Sequence, residues 1–469
     1  MATISSLGVG SGLDAESLVT SLLEVEKQPI TALESTNSTL QTKVSAWGTL
    51  QSLFSQLQTA ATNLTSSTAF TATTATSTDS SAVSVTTGAG SKAGSYAVEV
   101  SSLASAQFLA STGTVSGTGT LNFTIGAAGA TSPKTLQVDI TSSEDSMAKI
   151  AAKITSAGKD LGISASVVSD ASGERLVIRG ASGADNAFTL SVTNDGDGNS
   201  SDTSGLSALA WSGTDSSAMK RTQTAASAQA KINGISVTSN SNTLSNVIDG
   251  LTLTLGKVTT SAASVTVSQD NTTIAQGINS FVSAYNALIN QIRTQTAYDA
   301  ESQSAGTLQG DSTATGLLRQ LRNLAAGTSG ASSVYTRLSS VGVDIKTDGT
   351  MSVNSSKLTT ALNTDIESVA KLFGNVDDSD TANNGIAERF RQLASQVTGT
   401  DGAIATRTDG LKSTIERNTD KIESMEARVA LYEKRLRAQY TALDTSMAQL
   451  NTLSSYVTNM VAQLNKSNS

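Results

Sequence analysis

Apolar residues recur every seventh position along the C-terminal part of the chain: Ile415, Ile422, Val429, Leu436, Leu443, Leu450, Val457 and Leu464. With 38% of residues apolar, one chosen register gives eight in a row by chance with a probability below about 0.001. The alternate seam positions are uneven. Leu411, Met425, Tyr432, Leu453 and Met460 fit, whereas Asn418, Gln439 and Ser446 do not. The pattern predicts a helix roughly 80 Å long at 1.5 Å per residue, with an apolar stripe that it cannot bury alone.

A second helical pattern runs from Asp14, whose side chain suits an N-cap, to about Leu64. Leu33, Leu40, Trp47 and Phe54 step by sevens, beside a column of Leu50, Leu57 and Leu64. Pro29 is expected to kink this helix or divide it in two, because it removes an N–H and crowds the preceding turn. Either stripe alone would read as an ordinary core helix. Two stripes at opposite ends of a chain with strand-like sequence between them favour a stalk in which both ends run side by side.

Between the ends the period changes. "IAQGINSFVSAYNALINQI" places Ile274, Ile278, Phe281, Tyr285, Leu288 and Ile292 on one helical face, and further helical sequence lies near 311 to 325, 355 to 373 and 385 to 397. "VGVDIKTDGTMSVN" alternates Val341, Val343 and Ile345, turns at Asp348 and Gly349, and alternates again at Met351 and Val353, as a β-hairpin does. From 71 to about 270, short alternating runs such as "SYAVEVSS", "LQVDI", "ERLVIRG", "FTLSV" and "LTLTLG" are separated by Ser, Thr, Gly and Asn. One helix interrupts them at "SSEDSMAKIAAKI", with a cap expected near Ser142. The fold class that follows is α+β and multidomain: an elongated coiled-coil stalk from both termini, a helical-bundle domain with a β-hairpin, and β-rich domains inserted between.

Composition mainly excludes chemistry. The 469 residues include no Cys and no His, which removes thiol nucleophiles, imidazole-based triads and soft metal sites. The formal net charge is −8 and the basic residues are dispersed, so no nucleic-acid surface is expected. No apolar run is long enough for membrane insertion, and the first residues lack the basic and apolar regions of a cleavable signal. Gly8, Gly10 and Gly12 precede a helix, but with neither a βαβ unit nor a following Lys they read as a Gly/Ser leader rather than a phosphate loop. "NDGDGNSSD" spaces Asp195, Asp197 and Asn199 like a calcium loop, yet Ser200 and Leu206 stand where Gly and Glu are needed, so a solvated turn is expected. No catalytic, metal-binding or cofactor-binding residues emerge, and no carboxylates can be paired for acid–base work.

The opening "ISSLGVGSGLDAESLVTSLLEVEKQPI" resembles that of the bacterial flagellar filament cap family, also called hook-associated protein 2. The likeness continues in "AGSYAVEVSSLASAQ", "INGISVTSNSNTLSNVIDGLTLTL", "FVSAYNALINQI", "GTLQGDSTATGLLRQL", "LSSVGVDIKTDGTMSVNSSKLTTAL" and "SMAQLNTLSSYVTNMVAQL", while about 107 to 221 carries little family signature. The resemblance implies a non-enzymatic scaffold, without cofactors, at the distal tip of the filament. It would be secreted through the flagellar type III route, aid the folding and insertion of exported flagellin, prevent its loss to the medium, and be required for elongation and motility. The implied partners are other copies of the chain in a ring of pentamer-like size, flagellin, hook-filament junction proteins and a cytoplasmic export chaperone. The implied division is a leader and stalk helix at 1–42, a leg helix at 43–70, one head domain in two parts at 71–106 and 222–270, a second head domain at 107–221, a leg domain at 271–410 and a C-terminal stalk at 411–469. Coiled-coil and assembly contacts fall to Leu33, Leu40, Trp47, Phe54, Ile415, Ile422, Val429, Leu436, Leu443, Leu450, Val457 and Leu464. Two other readings stay open: a secreted adhesin or fibre tip binding host glycans or mucin through 107 to 221, and an exported enzyme with a carboxylate site.

Overall fold

A computed structural model describes residues 14–127, 130–301 and 303–467, with side chains to 463. The glycines at 8, 10 and 12, and the leader expected there, lie outside the described residues. The helices in chain order are α1 (Ala15–Thr65), α2 (Met147–Gly158), α3 (Asn271–Thr296), α4 (Ser312–Ala326), α5 (Ser355–Thr364), α6 (Ile366–Gly374), α7 (Ile386–Thr398) and α8 (Ala403–Ser467). The chain forms two compact units, Thr71–Thr273 and the two flanking parts, up to Phe70 and from Ile274.

The flanking unit is helical. Trp47, Leu50, Phe54 and Leu57 of α1 are fully buried, as are Phe281, Tyr285 and Leu288 of α3. Phe390 of α7 meets Phe281 and Tyr285 edge-on, with ring centroids 5.4 and 5.5 Å away, a favoured aromatic geometry. The expected hairpin pairs Val343–Ile345 with Met351–Val353. Val341 instead ends a 3₁₀ turn, closed by Gly342 in the left-handed region at φ 86°. The helical stretch expected at 355 to 373 is two helices. Asp365, at φ −156°, ends α5, and its carboxylate accepts from the Ser368 N–H to start α6.

Two corrections concern helix boundaries. Pro29 does not divide α1, which runs unbroken from Ala15 to Thr65. The ring faces solvent, while Leu23 and Ile30, on either side of it, are buried against α8. The Val25 carbonyl freed by the missing N–H lies on an exposed turn, open to water. The cap expected near Ser142 lies at Ser146. Residues 141–144 make a turn instead: the Glu144 carboxylate accepts from the Thr141 N–H and hydroxyl, and Lys153 of α2 reaches back to Glu144 at 2.8 Å.

The Thr71–Thr273 unit is built of antiparallel sheets around two apolar cores. A five-stranded sheet has the order Thr73–Ser77, Ala263–Gln269, Gly94–Ser102, Ala228–Ile232, Ile235–Ser239, and a three-stranded sheet the order Thr243–Ile248, Leu251–Leu255, Val83–Thr87. Their inward residues, including Val83, Val98, Val100, Leu253 and Val265, share one core. The tight turn Asn233-Gly234 takes positive φ at both residues, 48° and 83°, which a two-residue hairpin loop requires. The second core unites a four-stranded sheet (Met219–Gln223, Ala106–Ser111, Gly173–Ser182, Ser164–Asp170), a three-stranded sheet (Lys134–Ile140, Gly119–Ile125, Phe188–Thr193) and α2. Period-two alternation explains it: Leu121, Phe123 and Ile125 point inward with Val138, Ile140, Leu190 and Val192 of the neighbouring strands.

Asp195 differs from the solvated turn expected of it. It is buried, and one carboxylate oxygen accepts from the Ser207 N–H at 2.6 Å and the Ser207 hydroxyl at 2.5 Å. Burial pushes this carboxyl up, but hydrogen bonds from Ser207 and from the Asp197 and Leu206 backbone together outweigh it and hold the group below the ordinary range. The residue pins the loop to the 3₁₀ turn Gly205–Leu209.

Candidate functional site

The terminal helices form an antiparallel pair. α1 begins at Asp14, whose carboxylate accepts from the Ser17 N–H at 3.0 Å. Val19, Leu23 and Ile30 then pack with Val429 and Leu436 of α8, flanked by half-buried Ile422, Met425, Tyr432 and Tyr440. At the outer end Arg437 donates to both carboxylate oxygens of Glu16, at 2.8 and 2.6 Å, and to Glu433 at 2.8 Å. Further in, the Asn418 side-chain amide donates to Asn37 Oδ1 at 2.9 Å.

The proposed contact residues separate into groups. Trp47 and Phe54 are fully buried in the helical unit. Leu33, Leu40, Ile415 and Ile422 are half-buried, and Val429 and Leu436 are buried. Leu443, Leu450 and Val457 are exposed by 44%, 57% and 47%, and Leu453, Tyr456, Met460 and Val461 are exposed with them. The side chain of Leu464 lies outside the described residues. α8 thus carries one stripe in two states: its inner half faces α1, and its outer half continues beyond the point where α1 begins.

Sequence reasoning missed the α1 face that meets α8. Leu23, Ile30 and Asn37 step by seven, with Val19 four residues before Leu23, but the polar third member hides the column. Asn418, an apparent misfit in the α8 seam, is matched to that same Asn37.

Among the described residues there is no group of three or more acidic, His or Cys side chains that could hold a metal ion, and no helix is long and apolar enough to cross a membrane. A groove of about 960 Å³ beside α4 and α7 is lined by Gln320, Asn323, Leu324, Arg389, Gln392 and Leu393 among others, with no carboxylate in its wall.

Comparison with known proteins decides what this helix pair belongs to. Residues 11–107 match the family model for the N-terminus of flagellar hook-associated protein 2, and 225–452 match that for its C-terminus. The chain is 35% identical to flagellar hook-associated protein 2 of Escherichia coli (strain K12), over 98% of each chain. The chain belongs to the flagellar hook-associated protein 2 family. It is also 32% identical to the member from Salmonella typhimurium (strain LT2), over the full length of both. A crystal structure of the flagellar cap protein FliD D1-D2-D3 domains from Escherichia coli superposes with a TM-score of 0.62 at 30% identity, covering 78% of this chain and 99% of that one. The function of this family member is that of the flagellar cap at the filament tip, a structural role and not an enzymatic one. Nothing in these comparisons supports the adhesin reading. The two family models leave 108–224 unmatched, in keeping with the small share of family signature expected from 107 to 221, while 120–182 match a separate model, the flagellin hook IN motif.

Proposed function

We propose that copies of this chain assemble through the outer half of α8 into a pentamer-like ring at the distal end of the filament, secreted outside the cell, where the ring guides exported flagellin into place. The observation that carries this reading is the exposed run Leu443, Leu450, Leu453, Tyr456, Val457, Met460 and Val461. A helix that leaves so many large apolar side chains in water, in register with a seam that is buried further in, is built to be covered by a neighbour. The flagellin hook IN motif at 120–182 supports work with flagellin. Family likeness supports contacts with hook-filament junction proteins and an export chaperone.

The division of labour follows the cores. We assign 1–42 and 411–469 to the stalk, 43–70 and 271–410 to the leg, 71–106 and 222–270 to one head domain, and 107–221 to the second. In support, one β core draws on residues between 82 and 104 and between 228 and 265, the other on residues between 109 and 219. Deleting the gene tests the proposal. Loss of filaments with flagellin shed into the medium, reversed by this chain, is the expected result; intact filaments in the deletion strain would refute it.

A further inference from the structure

We propose that the outer edge of the strand Ile235–Ser239 takes up an extended segment of polypeptide whose main chain is not yet paired, adding it to the sheet as a further strand. The inference rests on the flagellin-handling role given above and names a surface for it, exported flagellin that has not yet folded being a polypeptide of that kind.

The strand closes one side of the five-stranded sheet. Across the tight turn Asn233-Gly234 its residues Ile235, Val237 and Ser239 pair with Ile232, Ala230 and Ala228. A two-residue loop makes Ile232 and Ile235 a hydrogen-bonded pair, so alternation turns the N–H and C=O groups of Ser236 and Thr238 outward. Both residues are exposed, and among the described residues no strand lies beyond them. On the core side of the same strand Ile235 is 71% exposed and Val237 half-buried, so the apolar core is uncovered where a sixth strand would lie.

The other sheet edges of the Thr71–Thr273 unit are each obstructed. Thr73–Ser77 and Val83–Thr87 lie against each other, and the Thr87 hydroxyl donates to the Thr73 carbonyl at 2.7 Å. Thr243–Ile248 is bulged, with Asn246 at φ 62°. Met219–Gln223 is also bulged, carries Lys220 and Arg221, and has the Arg221 N–H taken by Asp215. In Ser164–Asp170 the Thr155 hydroxyl of α2 bonds both the N–H and the carbonyl of Ala165. Lys134–Ile140 follows Pro133 and carries Lys134 and Asp139, and Phe188–Thr193 is bridged to Trp211 through Leu190. Bulges, charges and covering groups are how sheets avoid pairing with other chains. Ile235–Ser239 has none of them.

That contrast selects the occupant. Among its described residues, the Thr71–Thr273 unit of a second copy offers only this same strand as an open edge. Two copies paired through it would be related by a two-fold axis, which gives dimers and not the ring proposed above. A polypeptide that has yet to fold carries free main-chain groups along its length, and main-chain pairing supplies affinity whatever its sequence.

Hydrogen exchange on the full chain, resolved residue by residue, tests this, with flagellin freshly diluted from urea as the probe. The Ser236 and Thr238 amides are expected to exchange fast in the chain alone and at least about tenfold more slowly with the probe. Raising the concentration of the chain alone should leave both fast. Thr238→Pro removes one outward donor at an edge, where proline is tolerated, and Ile235→Lys puts a charge on the open side; both should fold and lose the slowing. Unchanged exchange at Ser236 and Thr238 with the probe overturns the proposal. So does slowing when the chain alone is concentrated, which would assign the edge to a second copy. A folded Ile235→Lys chain that keeps the full slowing overturns it as well, whether or not Thr238→Pro folds. A chain that restores filaments to the deletion strain but shows no slowing defeats this inference alone, whereas intact filaments in the deletion strain defeat the reading on which it rests.

Discussion

Arg437 grips Glu16 through two nitrogens, at 2.8 and 2.6 Å, joining residues 421 positions apart in the chain. The hydrogen bonds from Arg437 hold the Glu16 carboxyl below its ordinary value of 4.5, against a smaller opposing push from desolvation. The unfolded chain therefore takes up this proton at higher pH than the folded chain does. The contribution is complete above about pH 4.5 and is lost as pH falls below it through the folded value. Arg437→Gln should lower the thermal midpoint of helix loss at pH 7, with a smaller difference at pH 3 or in 1 M salt, where the screening length is about 3 Å. Circular dichroism melts of both chains check this; equal differences under all three conditions would count against the pair.

Tyr285 gives a prediction at the other end of the pH scale. Its ring is fully buried, its hydroxyl donates to the Gly349 carbonyl at 3.0 Å, and burial pushes the phenol up to about 12. The unfolded phenol ionises near 10, so its contribution is fully present below pH 10 and declines as pH rises toward 12. Tyr285→Phe is expected to cost about 1 kcal/mol at neutral pH, the net worth of one hydrogen bond, and to flatten the alkaline decline. Urea unfolding at pH 8 and pH 11 measures both effects.

How much of this was legible in the sequence depended on whether one residue or two carried the signal. Val98 and Val100, or Ile278, Phe281 and Tyr285, reveal their elements because periodicity is a property of a single segment. Pro29 does not divide its helix, and the reason lies outside the segment: Leu23 and Ile30, on either side of it, pack on a helix some four hundred residues away. Asn418 read as a defect until Asn37 was found opposite it, and Asp195 read as solvated until Ser207 closed over it. Polar residues that need a distant partner cannot be interpreted from one strand of sequence, since a satisfied buried amide and a solvated one have the same local pattern.

Gln107 is another such residue. It is 1% exposed, and its amide replaces a strand neighbour by donating to the Phe188 carbonyl at 2.8 Å and accepting from the Phe188 N–H at 3.1 Å. Gln107→Leu would leave both backbone groups buried and unpaired, at a cost of about 1–3 kcal/mol for each. Chemical denaturation should show that loss in the β-rich unit. A change under 0.5 kcal/mol, a bound of the kind seen for ordinary surface substitutions (~0.5 kcal/mol), would contradict this account of the residue.

The outer stripe of α8 can be separated from folding by comparing two kinds of variant. Leu450 and Val457 are 57% and 47% exposed, so replacing both with Ser removes little that is buried, and the stability of the isolated chain should stay within about 0.5 kcal/mol. Phe390 is fully buried against Phe281 and Tyr285, and Phe390→Ala should cost about 3–5 kcal/mol. Both variants are expected to lose swarming and shed flagellin when they replace the native chain, but for different reasons. The first should fold normally and fail to assemble, seen as unchanged urea unfolding together with a smaller mass in sedimentation; the second should be depleted because it does not stay folded. A Leu450→Ser/Val457→Ser chain that caps filaments as well as the native one would show that the exposed column is not covered in the working assembly, and the contacts that hold copies together would have to lie on another surface.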